Sequence, residues 1–480
     1  MKFIMILATL ILFLSGCEDK GYGTQDIDSI MGVGATAKVI LTSSVPAINA
    51  NIAQKSFITV SFSSQMDADT LQSDSVILKD NNGIDISVSL LVSENHLFIR
   101  PRSSLVDGMG YQLTLKSSFK DIFGNALAQE YLLDFTCTSD FWLSVAAGKT
   151  HVIAVSKAND VYVWGNNPLL DVMLNETNLS KISIDIPLPL PKVKKPLSYS
   201  AGSYASGMID SAGKIVTSGL NKLDNVEENG YTQISLGANH EMVLKDDGTL
   251  YSWGSNDNGQ LGTLGVFSKQ KPTQEYSQSM EWISISAGNS FSLALKLDGS
   301  MWGWGRNDYG QIGNKEFQER RQPVREDTNG TWKMISAGSS FSAAIRGDNT
   351  LWSWGKNDSG ELGDGTNISS NIAVQESTLS SWTQVSTGFS HTVGINNAKE
   401  IFSWGSNRYG ELGDNSTVNK NSPTAIDKTL NGPWIDVSGG DGFTLAVGVD
   451  GTLWSWGHNA HGELGIGLEK GDSLIPVEVK

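Results

Sequence analysis

A chain of 480 residues with 39% apolar side chains is long enough to build two or three cored domains. Its formal charge of −16 is shared: residues 1–140 carry 9 basic and 15 acidic side chains, residues 141–480 carry 26 and 36. That field repels phosphate and excludes nucleic acid as a partner, and the one basic cluster, Lys192, Lys194 and Lys195, reads as a solvated loop in a proline-rich stretch.

Lys2 followed by the apolar run Phe3 to Leu14 is an export signal, because twelve apolar residues fall short of the roughly 20 that span a bilayer. The sequence Leu14-Ser15-Gly16-Cys17 resembles the lipobox of bacterial lipoproteins. The resemblance implies a signal peptide over residues 1–16, lipidation of Cys17 with palmitate-type chains, and a membrane anchor at the new N-terminus. Glu18, in place of Asp, implies passage to the outer membrane or cell surface. Residues 17–37 are polar and glycine-rich, the composition of a flexible tether. With Cys17 lipidated, Cys137 has no partner for a disulfide and reads as a buried strand residue.

From residue 38 the pattern becomes short and alternating. Phe57 to Phe62, Val76 to Lys79, Ile84 to Val92, His96 to Arg100, Tyr111 to Lys116 and Tyr131 to Thr138 read as strands, which predicts a small β-sandwich over 38–139. Asp80-Asn81-Asn82-Gly83 is a hairpin turn and not a calcium loop, since Leu91 stands where an acidic twelfth ligand is required. The phrases Phe62-Ser63-Ser64-Gln65-Met66-Asp67, Ile99-Arg100-Pro101, Tyr111-Gln112-Leu113-Thr114-Leu115 and Asp121-Ile122-Phe123-Gly124-Asn125 resemble the bacterial Ig-like domains of surface proteins. That resemblance implies a spacer or adhesive unit.

Residues 140–480 are a repeat. Trp-Gly recurs at Trp164-Gly165, Trp253-Gly254, Trp304-Gly305, Trp354-Gly355, Trp404-Gly405 and Trp456-Gly457, with a worn copy at Ser218-Gly219. The glycines step by 54, 35, 51, 50, 50 and 52 residues, the period of propeller blades. In the clearest copy, Trp332 to Ala337 and Phe341 to Ile345 alternate as strands, Asp348-Asn349 makes a hairpin, and Leu351-Trp352-Ser353-Trp354 forms a third strand. A weaker fourth strand follows a variable loop. Seven such units predict an all-β protein with a seven-bladed β-propeller after the sandwich. The phrase Trp-Gly-x-Asn-x-x-Gly-(Gln/Glu)-(Leu/Ile)-Gly, complete at Asn256, Asn307, Asn357, Asn407 and Asn459, resembles the regulator of chromosome condensation repeat. The first two units depart from it and predict distorted blades.

All fourteen tryptophans fall in this region at repeat-equivalent strand positions, as core packing between blades requires. His151, His240 and His391 share a slot with Phe291, Phe341 and Phe443, so they are packing residues, and no metal ligand set or cofactor is expected. Glu361, Glu411 and Glu463 alternate with Gln260 and Gln311 and read as turn residues; no catalytic residue is assigned. Function is expected where the copies differ, in the exposed turns and loops: Tyr309, Arg408, Tyr409 and His461, with Phe317, Arg320 and Arg321 and the insert from Leu169 to Pro196. The sequence therefore leads to a monomeric, lipid-anchored envelope protein whose propeller face binds a protein or glycan. The family resemblance implies guanine-nucleotide exchange on a small GTPase as an alternative, and a glycan hydrolase or lyase with its site at the axial mouth is a third.

Overall fold

The computed structural model describes residues 38–480 except 46–49, 53–56, 73, 94, 104, 139–140, 167–183, 224–227, 329, 378–380, 427–431 and 480. Cys17, the export signal and the tether lie outside the described residues, as does the first part of the insert beginning at Leu169.

Residues 38–137 form two facing sheets. One orders its strands Leu41–Val45, Ile58–Phe62, His96–Pro101 and Val88–Ser93; the other Ala50–Ile52, Tyr131–Cys137, Gly110–Leu115, Val76–Asp80 and Asp85–Ile86. Period-2 alternation turns Leu113 and Leu115 of one strand and Leu133, Phe135 and Cys137 of its neighbour into a core shared with Val60 and Leu97 of the opposite sheet. Cys137 is fully buried, and burial pushes its thiol up to about 12, which leaves it unreactive. The Asp80 carboxylate accepts the N–H groups of Asn82 (2.9 Å) and Ile84 (2.8 Å), so it closes a hairpin turn.

The repeat region forms seven further sheets, each from consecutive strands and numbered here in chain order. Sheet 5 is representative, with Trp332–Ala337, Phe341–Arg346, Leu351–Gly355 and Ser370–Gln375 running antiparallel in that order. Sheets 1, 3, 4, 6 and 7 begin at Trp142, Tyr231, Trp282, Trp382 and Trp434 and are likewise four-stranded. Among the described residues sheet 2 has three strands, Ser198–Ala201, Ala205–Ile209 and Ile215–Gly219. Among the described residues the expected four-strand unit is corrected there to three strands, in keeping with the 35-residue step from Gly219 to Gly254.

First strands of all seven sheets, with the turns that follow them, line one axial cavity of 220 Å³. Neighbouring first strands are joined by a repeated bond: Ala287 N–H to Ser235 Oγ (2.9 Å), Ala337 to Ser286 (2.9 Å), Thr387 to Ser336 (2.9 Å) and Gly439 to Ser386 (3.1 Å). Ala147 N–H reaches Ser438 Oγ at 2.9 Å, so sheet 7 meets sheet 1 as the other sheets meet one another. Among the described residues no strand is exchanged between sheets.

The tryptophans fill the spaces between sheets. Trp332 and Trp354 of sheet 5 share a cluster with Phe291, Leu293 and Met301 of sheet 4, and each large aromatic buries about 150–250 Å². Trp354 sends its indole N–H to the Gln311 carbonyl (2.8 Å) in the preceding sheet; Trp304, Trp404, Trp456 and Trp164 do the same to Gln260, Glu361, Glu411 and Glu463.

The proline-rich stretch is not a solvated loop. Ile184–Lys194 is the fourth strand of sheet 1; residues 184–190 are all buried, and the alternate Ile184, Ile186, Leu188 and Leu190 enter the sheet 1 core. Pro187, Pro189 and Pro191 hide this alternation from a reader of sequence, because proline argues against a strand interior. The strand packs on the Ig-like unit: Phe57 N–H donates to Pro187 O (3.1 Å), Thr59 Oγ1 to Pro189 O (3.4 Å), and Arg100 pairs with Asp185 at 3.0 Å. Phe57 and Phe98 join the sheet 1 core. The spacer expected from sequence is thus fixed to the repeat region.

Candidate binding face

In sheets 3 to 7 the turn after the third strand is built by one buried asparagine. Asn357 Oδ1 accepts the Leu362 N–H (2.9 Å), and its Nδ2 donates to Thr366 O (3.1 Å) across the loop. Asn256, Asn307, Asn407 and Asn459 hold Leu261, Ile312, Leu412 and Leu464 at 2.9–3.0 Å in the same way. Gly363 completes the turn at φ +70°, and a Cβ there would stand 2.6 Å from the Trp404 indole nitrogen.

The buried carboxamide or carboxylate of the motif holds the variable residue. Gln260, Gln311, Glu361, Glu411 and Glu463 accept the backbone N–H of Asn258, Tyr309, Ser359, Tyr409 and His461 at 2.7–3.0 Å. In sheets 3 to 7 a fixed frame therefore presents a side chain that varies from sheet to sheet, Asn258, Tyr309, Ser359, Tyr409 and His461. These glutamates are turn residues, as their exchange with glutamine indicates, and burial raises the pKa of Glu361.

This face adjoins the axial mouth. The residue after each Trp-Gly pair donates to the turn between the first two strands, as Lys356 does to Ser340 (3.0 Å) and His458 to Gly442 (2.8 Å). Collar bonds also join successive loops: Leu264 N–H to Arg321 O (2.9 Å), Lys315 to Asn371 (3.1 Å), Gly365 to Asn421 (2.8 Å) and Asn415 to Leu474 (3.0 Å).

The residues expected from sequence divide into two groups. Arg408 is exposed above the Tyr409 ring (5.3 Å), Tyr409 packs on His458 with centroids 4.2 Å apart, and His461 donates or accepts at Nδ1 with Glu463 Oε1 at 2.9 Å. These form one patch where sheets 6 and 7 meet. Tyr309, Phe317, Arg320 and Arg321 belong to sheet 4 and its loop. Tyr309 lies under Lys356 at 5.9 Å, and Phe317 is 56% exposed. Arg320 is paired with Glu316. Arg321 is occupied by the carbonyls of Asn256 (3.2 Å) and Asp257 (2.8 Å) and by Glu319 (2.7 Å), so its guanidinium braces the collar.

Sequence reasoning singled out Phe317 but passed over its recurrence as an apolar position in neighbouring sheets. Phe267, Phe317, Ile368 and Val418 follow their turn asparagines by 11, 10, 11 and 11 residues, and are exposed by 77, 56, 73 and 62%. Their spacing was legible in the aligned copies.

The histidine slot is structural. His151, His240 and His391 are buried, and Nε2 of each lies 2.8, 2.8 and 2.9 Å from Ser206 Oγ, Ser292 Oγ and Thr444 Oγ1 of the following sheet. Because Ser292 and Thr444 donate their hydroxyl protons to Gln260 O and Glu411 O (2.8 Å each), His240 and His391 donate from Nε2. Burial lowers the three pKa values to about 4, 3 and 4, so the rings are neutral. A different set of side chains does assemble a possible ligand set: one donor atom each of His458, His461 and Glu463 lies within 4.8 Å of the others.

The comparisons decide the family. The model of the RCC1-like domain matches residues 222–480, more than half the chain. The chain belongs to the RCC1-like domain family. Sheets 1 and 2, whose turns depart from the repeat, lie before the matched span of the RCC1-like domain, and the bacterial Ig-like domain model matches residues 35–137. Among RCC1-like relatives, Protein pim1 of Schizosaccharomyces pombe is 27% identical over 213 residues, 36% of this chain and 39% of pim1. The X-linked retinitis pigmentosa GTPase regulator homolog of Caenorhabditis elegans is 26% identical over 172 residues, 35% of this chain and 12% of that protein. The matched region thus spans well under half of either relative. The solved structure of Prp20p from Saccharomyces cerevisiae aligns over 64% of this chain and 82% of its own, with 20% identity and a TM-score of 0.55. Human WBSCR16 aligns over 74% and 86%, with 21% identity and a TM-score of 0.50. These two likenesses show the RCC1-like fold.

Proposed function

We propose that this chain is an exported, lipid-anchored binding protein, that its seven repeat sheets are the blades of one closed propeller, and that the face bearing the third-to-fourth-strand turns engages a protein partner. The observation that carries the reading is the contrast within each turn. In sheets 3 to 7 a buried asparagine and a buried Gln or Glu fix the backbone, while the side chains they present change from Asn258 to Tyr309, Ser359, Tyr409 and His461. Rigid scaffolds with variable tips suit recognition. Phe267, Phe317, Ile368 and Val418 add apolar contact area on the same loops, and such exposed side chains mark interaction surfaces when they recur together.

The lipobox supports anchoring at Cys17, and Glu18 supports the outer membrane or cell surface as the location. A glycan is the other ligand class that an aromatic and polar turn face accommodates. Prp20p is a protein with binding properties to Gsp1p and histones, which is in keeping with protein recognition by this fold. The test is crosslinking and capture of envelope or host proteins by the full chain, beside a variant carrying Arg408→Ala and Tyr409→Ala. Capture by both forms alike removes the turn face from the reading. Replacement of Cys17 by serine moves the protein from the membrane to the soluble fraction if the anchor is real.

Guanine-nucleotide exchange is the second reading, favoured by the GTPase regulator among the relatives. Acceleration of nucleotide release from a small GTPase by the purified chain would establish it in place of simple binding.

A further inference from the structure

Sheet 7 departs from its sister sheets at several positions, and the departures meet at one spot. His458 stands where Ser255, Arg306, Lys356 and Ser406 follow the other Trp-Gly pairs, and His461 where the turns place Asn258, Tyr309, Ser359 and Tyr409. Asp472 accepts the Asn459 N–H at 2.8 Å, a role taken by Ser369 in sheet 5 and Asn419 in sheet 6. Asp441 occupies the neighbouring turn, where sheets 4, 5 and 6 have Asn289, Ser339 and Phe389.

The geometry is that of a ligand set. One donor atom from each of His458, His461 and Glu463 lies within 4.8 Å of the other two. Donors on one tetrahedral ion stand roughly 3.3 Å apart when metal–ligand bonds are about 2.0–2.1 Å. Closing that difference asks for a rotation of the exposed His461 ring, while Glu463 is already fixed, fully buried, by the His461 N–H at 2.8 Å. Asp472 Oδ1 lies 3.2 Å from His458 Nδ1, close enough that a small ring turn would form the carboxylate–imidazole hydrogen bond that orients metal-bound histidines.

We propose that His458, His461 and Glu463 form a site for a divalent transition-metal ion of the zinc class, with Asp472 as a positioning residue for His458. Two imidazoles and one carboxylate favour zinc and its first-row neighbours over calcium or magnesium, which take oxygen ligands. In the metal-free protein the His461 Nδ1 and Glu463 Oε1 atoms, 2.9 Å apart, share a hydrogen bond. The ion replaces that proton, and three protein ligands leave a fourth position to water. The site stands on sheet 7 alone and does not depend on which partner the face binds.

The repeats themselves supply the control substitutions. His458→Ser installs the residue of sheets 3 and 6, His461→Tyr that of sheets 4 and 6, and Glu463→Gln that of sheets 3 and 4, so the turn is retained. The full chain is titrated with Zn²⁺ by calorimetry and with Co²⁺ by visible absorption, and the metal-free melting temperature of every variant checks folding. One equivalent of Zn²⁺ binding at micromolar or tighter Kd, a four-coordinate Co²⁺ spectrum, and loss of at least about tenfold in affinity in each variant and in Asp472→Asn are expected. No saturable binding below about 100 µM Zn²⁺ overturns the proposal. So does stoichiometric binding that His461→Tyr and Glu463→Gln leave unchanged, since the ion would then sit elsewhere.

Discussion

The indole nitrogen of Trp354 lies 2.8 Å from the backbone carbonyl of Gln311, a residue of the preceding sheet's turn. The same carbonyl also accepts the Ser342 hydroxyl at 2.8 Å. One oxygen thereby ties the core of sheet 5 to the face of sheet 4. Trp354→Phe removes one of its two donors and some packing area, and should cost about 1–3 kcal/mol. Urea unfolding at fixed pH measures it. An unchanged midpoint would mean that Ser342 alone holds the junction.

Acid should unfold the protein partly through its buried histidines. The His240 pKa falls to about 3 on folding because of burial, whereas an unfolded histidine titrates near about 6.5. The folded pKa is depressed, so the unfolded state binds the extra proton. Stability is therefore full above about 6.5 and declines as pH falls toward about 3, by at most about 1.4 kcal/mol per pH unit. His240→Phe, with the residue that sheets 4, 5 and 7 carry in this slot, should flatten the pH dependence between 6.5 and 4.5. Melting temperatures of both proteins across that range provide the check.

Glu241 acts in the opposite direction. It is buried at the position where the next three sheets and sheet 7 have Ser292, Ser342, Thr392 and Thr444, and burial drives its pKa well above the usual carboxylate range. A raised folded pKa means that its contribution is complete below the unfolded pKa and is lost as pH rises toward the folded one. Glu241→Gln should accordingly raise the melting temperature at pH 8, with a smaller gain at pH 5. An equal gain at both would show that the carboxyl is not protonated in the fold.

On the turn face, Phe317→Ser with Ile368→Ser should weaken partner capture at least about tenfold, as removal of apolar contacts at an interface centre does, and leave the melting temperature within a degree or two. Both side chains are exposed and contribute little to the core. Arg321→Ala should behave differently. Its guanidinium bonds the Asn256 and Asp257 carbonyls, so its loss loosens the collar and lowers stability before it affects binding.

Much of this was legible in the sequence because repeats make their own comparison. The Asn357 turn, the Trp354 core position and the His391 slot each occur in several copies, and what a slot tolerates shows what it does. The fourth strand of sheet 1 was not legible, since Pro187, Pro189 and Pro191 mask the alternation of Ile186, Leu188 and Leu190. Arg321 reads in the sequence as a candidate binding residue of a variable loop, and only the loop geometry places backbone carbonyls around it. His458, His461 and Glu463 were each visible as residues, but one belongs to a strand exit and two to a turn. Their convergence needs the folded turn to bring them together.

The junction between Phe57 and Pro187 has a further consequence for the lone propeller. An outermost strand is a template for unwanted pairing with other chains. In sheet 1 the prolines withhold donors at alternate residues, and the Ig-like unit occupies the carbonyls of Pro187 and Pro189. That unit is therefore an edge guard as well as a mount. Cutting the chain near residue 140 should yield not a free propeller but one that self-associates through sheet 1, which light scattering of the truncated protein would reveal.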